Sequence, residues 1–187
     1  MRRRDLLVAA AWMAAGARAH AQKDAAWAHL STGGVAVLLR HAQTEPGLGD
    51  PPGFRIGDCS TQRNLSPEGR RQAQRIGESL GARGVRINRV LSSQWCRCLD
   101  TARLAFPGLT VEPDATLNSF FDDRSGEPLQ TSALRAKIAA IRAPANVAFV
   151  THHVNILALT GEGVGSGEAV LVRAAGDSAE VLGRLAF

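Results

Sequence analysis

Two kinds of segment alternate along the chain. Short continuous apolar runs, bounded by glycine or serine, read as strands buried on both faces, and stretches with apolar residues three and four apart read as amphipathic helices. Gly34-Val35-Ala36-Val37-Leu38-Leu39 is the first such strand. From Glu45 to Phe54 the chain is loop, because Pro46, Pro51 and Pro52 with three glycines forbid a regular element. Ser66-Pro67-Glu68 then supplies an N-cap, a first-turn proline and an early acid for a helix to about Leu80, with Ala73, Ile76 and Leu80 as its apolar stripe. Val90-Leu91 is a short strand, a helix follows near Cys96–Phe106, and Thr110-Val111-Glu112 makes another short strand. The pattern continues with a helix over Leu134–Ile141, a buried strand over Asn146–Val150 and a helix over about Val154–Leu159. Ala169–Arg173 and Glu180–Phe187 close the chain as a hairpin. Strands alternating with helices predict an α/β fold with a largely parallel sheet and antiparallel pieces near the end.

Composition adjusts this picture little, but the placement of charge adjusts it a good deal. The 187 residues are 45% hydrophobic and 21% charged, ordinary for one globular domain. No run of 18 or more apolar residues predicts a membrane span. A net charge of +5 and a pI near 10.0 suggest a polyanion partner. However, Arg2, Arg3, Arg4 and Arg18 sit in the opening MRRRDLLVAAAWMAAGARAHA, opposed there only by Asp5. An arginine cluster, an apolar stretch from Leu6 to Ala15 and Ala19-His20-Ala21 have the layout of an export signal, similar to a twin-arginine leader, with cleavage before Gln22. Residues 22–187 are then a single domain of 166 residues. With four of 22 basic and one of 17 acidic residues removed, its charge is +2. No Lys/Arg run, no Cys/His finger spacing and no tyrosine remain to support nucleic-acid binding.

An exported domain meets an oxidising compartment, where two of Cys59, Cys96 and Cys98 could pair. Cys96 and Cys98 are too close for an easy bridge at the start of a helix. The residues leave open a bond from Cys59 to either of them, and equally three buried free thiols.

The candidate chemistry lies where the apolar runs stop. In open α/β sheets the carboxyl ends of the strands form the ligand crevice. The first strand ends in Arg40-His41, the second in Ser92-Ser93 with Arg97 at a helix start, and the fourth in His152. Guanidinium forks match phosphate oxygens, and a neutral imidazole can attack phosphorus while cationic groups hold the transferring phosphoryl. This set needs no metal and no cofactor. The adjacent pair His152-His153 has no third ligand at metal spacing.

At these residues the chain resembles the histidine phosphatase superfamily, which includes the phosphoglycerate mutases. Leu38-Leu39-Arg40-His41-Ala42-Gln43-Thr44 is similar to its Arg-His-Gly/Ala segment, and Leu65-Ser66-Pro67-Glu68-Gly69 to its Leu-Ser/Thr-x-x-Gly helix opening. Ser92-Ser93-Gln94-Trp95-Cys96-Arg97 with Thr101-Ala102, and Val150-Thr151-His152, complete four motifs in order. The resemblance implies a three-layer α/β/α sandwich with a mostly parallel central sheet, phosphoglycerate mutase-like, and a phosphatase acting on a small phosphorylated substrate. It implies His41 as the phosphorylated nucleophile, and Arg40, Arg97 and His152 as the rest of the phosphate pocket. Thr44, Arg63, Asn64 and His153 become candidate substrate contacts.

One departure matters. The family often places a glutamate acid in a Leu-x-Glu context, which here reads Leu117-Asn118-Ser119. The alternative place, directly after the second histidine, holds His153. Asp122 and Asp123 are the nearby carboxylates that could act as the acid. The expectation is therefore an exported phosphomonoester hydrolase working through phospho-His41. The alternative is a periplasmic protein that binds a phosphate ligand with little or no turnover. A mutase is disfavoured, because the chain is short and lacks the usual acid.

Overall fold

The computed structural model describes residues 24–187. The leader expected over 1–21 lies outside the described residues. Six strands form one sheet: β1 Ala36–Arg40, β2 Arg89–Ser92, β3 Val111–Pro113, β4 Val147–Thr151, β5 Ala169–Ala175 and β6 Ser178–Leu185. Their spatial order is β3-β2-β4-β1-β5-β6. The first four are parallel to one another, while β5 and β6 run antiparallel as a terminal hairpin. The helices are α1 over 24–32, α2 Pro67–Gly81, α3 Cys96–Ala105, α4 Glu127–Ala139 and α5 His153–Thr160.

Strand periodicity divides the core in two, since successive side chains point to opposite faces of a sheet. Val37, Leu39, Val90, Ala148, Val150 and Leu171 pack on one face with Leu30 of α1, Ile76 and Leu80 of α2, and Ala102 of α3. Ala36, Leu38, Leu91, Phe149, Val170 and Val172 pack on the other with Leu134 and Ile138 of α4 and Ile156 of α5. The result is the expected three-layer α/β/α sandwich. Among the described residues no helix is long and apolar enough to cross a membrane.

Two helices differ from expectation. Residues 24–32 read as a polar lead-in, yet they form α1, because Ala26 and Leu30, four apart, are buried against the sheet. Helix α4 begins at Glu127 rather than near Leu134, with Pro128 in its first turn. Its first two turns carry little apolar stripe, and Leu129 is 78% exposed, so periodicity marks only the buried second half. The cysteine alternatives resolve to a Cys59–Cys96 disulfide, with Cys98 buried and free.

Register and two close approaches bring the strand ends together. Arg40 lies opposite Thr151, and Ser92 opposite Val150, so β1, β4 and β2 end within one residue of each other. Helix α2 is seated on the chain just beyond β1: Ser66 N–H donates to the Gln43 carbonyl at 3.1 Å, and Ser66 Oγ caps the helix by accepting from Gly69 N–H at 3.0 Å. A Cβ at Gly69 would collide with the Gln43 carbonyl oxygen. Gly69→Ala should therefore cost about 2 kcal/mol or more, the scale of forced overpacking against backbone. Denaturant unfolding checks this; an unchanged midpoint would mean that α2 does not press on residue 43.

Candidate active site

The segment after β1 is fixed by groups from around the sheet. His41 N–H donates to the Thr151 carbonyl of β4, Gly167 N–H donates to the His41 carbonyl, and Ala42 N–H donates to Thr101 Oγ1 of α3 at 3.0 Å. His41 itself is 4% exposed, and its Nδ1 lies 2.9 Å from the Ala42 carbonyl. A carbonyl only accepts, so Nδ1 carries the proton and Nε2 keeps its lone pair. His152, at the end of β4, has its ring 5.4 Å from that of His41 at 68°, and its Nε2 is hydrogen-bonded to Ser93 Oγ at 2.9 Å. Cys98 Sγ is 3.5 Å from the same nitrogen, and burial pushes this thiol up to about 12, so it stays neutral.

Both imidazoles are uncharged at neutral pH. Burial pushes His41 down to about 3; the Ala42 hydrogen bond opposes this, while the nearby Arg97, Arg40 and Arg63 reinforce it. Burial, then the repulsion that a protonated His152 would meet from a protonated His41 and from Arg97 and Arg40, hold it well below the ordinary imidazole range.

A cavity of about 260 Å³ opens over these rings. Arg40, His41, Arg63, Arg97, Asp122, His152 and His153 all line it, although they come from segments far apart in sequence. Its three guanidiniums share one arrangement. Nη1 of Arg40 donates to the Val164 carbonyl, Nη1 of Arg63 to the Gly47 carbonyl, and Nη1 of Arg97 to Asp50. In each, Nε is buried without a hydrogen-bond partner. Nη2 of each makes no hydrogen bond among the described residues, and three such guanidiniums lining one cavity make a seat for a multiply charged oxyanion. Burial lowers the pKa of Arg40 and Arg63, and neighbouring guanidiniums lower it further, so a bound dianion would relieve their mutual repulsion.

Three of the residues expected at the site do not line it. Thr44 forms an isolated bridge with Leu65, and Asn64 Nδ2 donates to the carbonyls of Cys59 and Gln62, tying the loop together. Asp123 caps a short 3-10 turn through Ser125 N–H at 2.9 Å. Asp122 is at the cavity, and so is Ser119, in the place where the resemblance expects a glutamate. His153 Nδ1 lies 3.1 Å from the Val164 carbonyl that also accepts from Arg40. Asp50 and Trp95 also line the cavity and were not expected there. Asp50 carried no sequence signal beyond being a lone acid inside a Gly/Pro loop. Among the described residues no cluster of three or more His, Cys, Asp or Glu could hold a metal ion.

A family model described as histidine phosphatase superfamily (branch 1) matches residues 36–135. No curated protein matches the chain. The fold is similar to that of a protein assigned as the phosphohistidine phosphatase SixA from Agrobacterium tumefaciens, at 22% identity and TM-score 0.57, covering 82% of this chain and 97% of that one. It is also similar to the protein histidine phosphatase SixA complexed with tungstate, at 16% identity and TM-score 0.57, over 81% and 96% of the two chains. A mycobacterial glucosyl-3-phosphoglycerate phosphatase with bound VO3 matches at 22% identity and TM-score 0.58, over 79% and 96%. At these identities the likeness carries the fold.

Neutral buried histidines make a pH prediction. An unfolded imidazole takes a proton near pH 6.5, and folded His41 does so only near 3. Between those values the unfolded state binds more protons, so stability falls as pH falls, by about 1.4 kcal/mol per pH unit for one such group. His152 acts in the same direction. Denaturant unfolding from pH 7 to 4.5 should show a slope that is shallower by about one proton in His41→Ala; parallel slopes would mean that His41 is not held neutral.

Proposed function

The chain belongs to the histidine phosphatase superfamily, and from that membership we propose that it hydrolyses a small phosphomonoester through a phosphohistidine formed on Nε2 of His41. The single observation that carries this reading is the His41 ring. Its Nδ1–H is spent on the Ala42 carbonyl, which leaves Nε2 as a lone-pair nitrogen in a cavity ringed by three guanidiniums.

Nε2 attacks phosphorus, an N–P bond forms, and the ester P–O bond breaks with both electrons leaving on oxygen. Arg40, Arg63 and Arg97, which line the cavity, take up charge on the phosphoryl oxygens through the guanidinium nitrogens not spent on protein partners. Ser93 fixes the His152 ring beside the reacting group. In the second step water attacks the phosphohistidine, the N–P bond breaks, and inorganic phosphate leaves with Nε2 restored. Asp122 lines the cavity without an arginine partner among the described residues, and in this reading it protonates the leaving oxygen in the first step and accepts the proton of water in the second.

We also infer that the domain is exported. The arginine-led, Ala-x-Ala-ended leader supports this, and so does the Cys59–Cys96 disulfide, a bond that persists in oxidising compartments. Export argues against a cytoplasmic phosphohistidine protein as the substrate. A second reading, a binding protein with little turnover, is favoured by one observation: Ser119 stands at the cavity in place of the glutamate.

A phosphoester panel on residues 22–187 tests the main reading. His41→Ala should lower kcat/KM by at least about 10³-fold and abolish ³²P labelling of the protein. Activity that survives the substitution would overturn the mechanism, and binding without labelling or turnover would select the second reading. Asp122→Asn should cost about 10²-fold or more on an alkyl phosphate and much less on a nitrophenyl phosphate, whose leaving group needs little protonation. Equal losses on the two would remove Asp122 from the acid role.

A further inference from the structure

Arg97 sits in the first turn of α3, 6% exposed at its side chain, and its anchor differs in kind from those of the other two arginines. Arg40 and Arg63 are held by neutral backbone carbonyls, whereas Arg97 is held by an ionised side chain. Both oxygens of Asp50 accept from Arg97 Nη1, at 2.8 and 2.9 Å. The carboxylate is itself 4% exposed and tied from two other directions: Arg63 N–H donates to Oδ1 at 2.9 Å and Trp95 Nε1–H to Oδ2 at 2.9 Å. These two neutral donors hold the carboxylate in place independently of Arg97. Burial pushes Asp50 towards its neutral form, but the hydrogen bonds from Arg97 and Arg63 N–H outweigh this and keep it ionised.

All of Asp50's grip falls on Nη1, and Nη2 of Arg97 makes no hydrogen bond among the described residues. A long, rotamer-rich side chain is thus clamped at one edge with a donor still free. Three guanidiniums against the two carboxylates of Asp50 and Asp122 leave the cavity lining with an excess of positive charge, which suits an anion. Resting on the function proposed above, we propose that Asp50 is a positioning residue, which holds Arg97 at Nη1 so that the rest of its guanidinium is presented to the phosphoryl group. The Gly/Pro loop that carries Asp50 is thereby part of the phosphate seat.

A double-mutant cycle tests this, read as kcat/KM on nitrophenyl phosphate and as orthophosphate affinity by calorimetry. Asp50→Ala should lower kcat/KM by about 10²-fold, the scale of a misplaced transition-state group, and weaken orthophosphate binding. In an Arg97→Ala background the same change should cost less than about twofold, because the group through which Asp50 acts is already gone. Asp50→Asn, which keeps one oxygen for Nη1, should recover part of the loss. Undiminished losses in the Arg97→Ala background would overturn the proposal, since Asp50 would then act on substrate or fold directly. Tighter orthophosphate binding in Asp50→Ala would also overturn it, by making the carboxylate a competitor for the seat. Should Asp50→Ala fail to fold, Asp50→Asn and Trp95→Phe, which removes one tether of the carboxylate, run through the same cycle with the same outcomes. Orthophosphate binding needs no turnover, so failure of the phosphatase reading, shown by activity surviving His41→Ala, is separable from failure here.

Discussion

The backbone of residues 41–43 has its hydrogen-bonding groups taken by segments from all around the sheet. Thr151 accepts from His41, Thr101 from Ala42, and Gln72 Oε1 from Gln43, while the carbonyls of His41, Ala42 and Gln43 accept from Gly167, the His41 ring and Ser66. A ring nitrogen is a useful nucleophile only if the ring cannot turn, and here the ring is held by the same short segment that these contacts immobilise. Neither the glycine at position 69 nor the threonine at 101 lines the cavity; they seat helices on this segment. Much of the molecule's local sequence is a consequence of keeping one imidazole still.

Electrostatics builds on that rigidity. Two imidazoles stay neutral first because they are buried and then because guanidiniums stand near them, and the guanidiniums tolerate one another because a carboxylate stands among them. Arg40 and Arg63 are less stable as cations here than alone in water, because burial and the neighbouring guanidiniums disfavour their charge, so each depends on the anionic groups around it. Such mutual dependence is typical of sites that bind charge in low dielectric.

What the sequence revealed and what it hid follow a physical line. Strands were legible because burial on both faces leaves continuous apolar runs, and the points where those runs stop placed Arg40, His41 and His152 at the strand ends. Helix α4 was half legible, since only Leu134 and Ile138 face the core. The choice between Cys96 and Cys98 was closed to the sequence, although two residues along a helix are about 200° around its axis. That rotation sends Cys98 into the core and leaves Cys96 to meet Cys59. Asp122 and Asp123 are neighbours in a loop without periodicity, so nothing in order or spacing separates the one at the cavity from the one capping a turn. Asp50 was invisible for the same reason: the path of a Gly/Pro loop is set by its distant contacts, and those were with Arg63, Trp95 and Arg97.

The strand order carries a consequence for how such a chain is made. β1 is laid down near the start of the domain, yet it pairs only with β4 and β5, which begin at Val147 and Ala169. A growing chain therefore carries an apolar strand for more than a hundred residues before either neighbour exists. Pairings this distant in sequence are slow to close, and an unpaired apolar strand is open to the wrong partner meanwhile. The arrangement that gathers two histidines at one sheet edge also makes the newly synthesised chain dependent on protection until its last quarter has emerged.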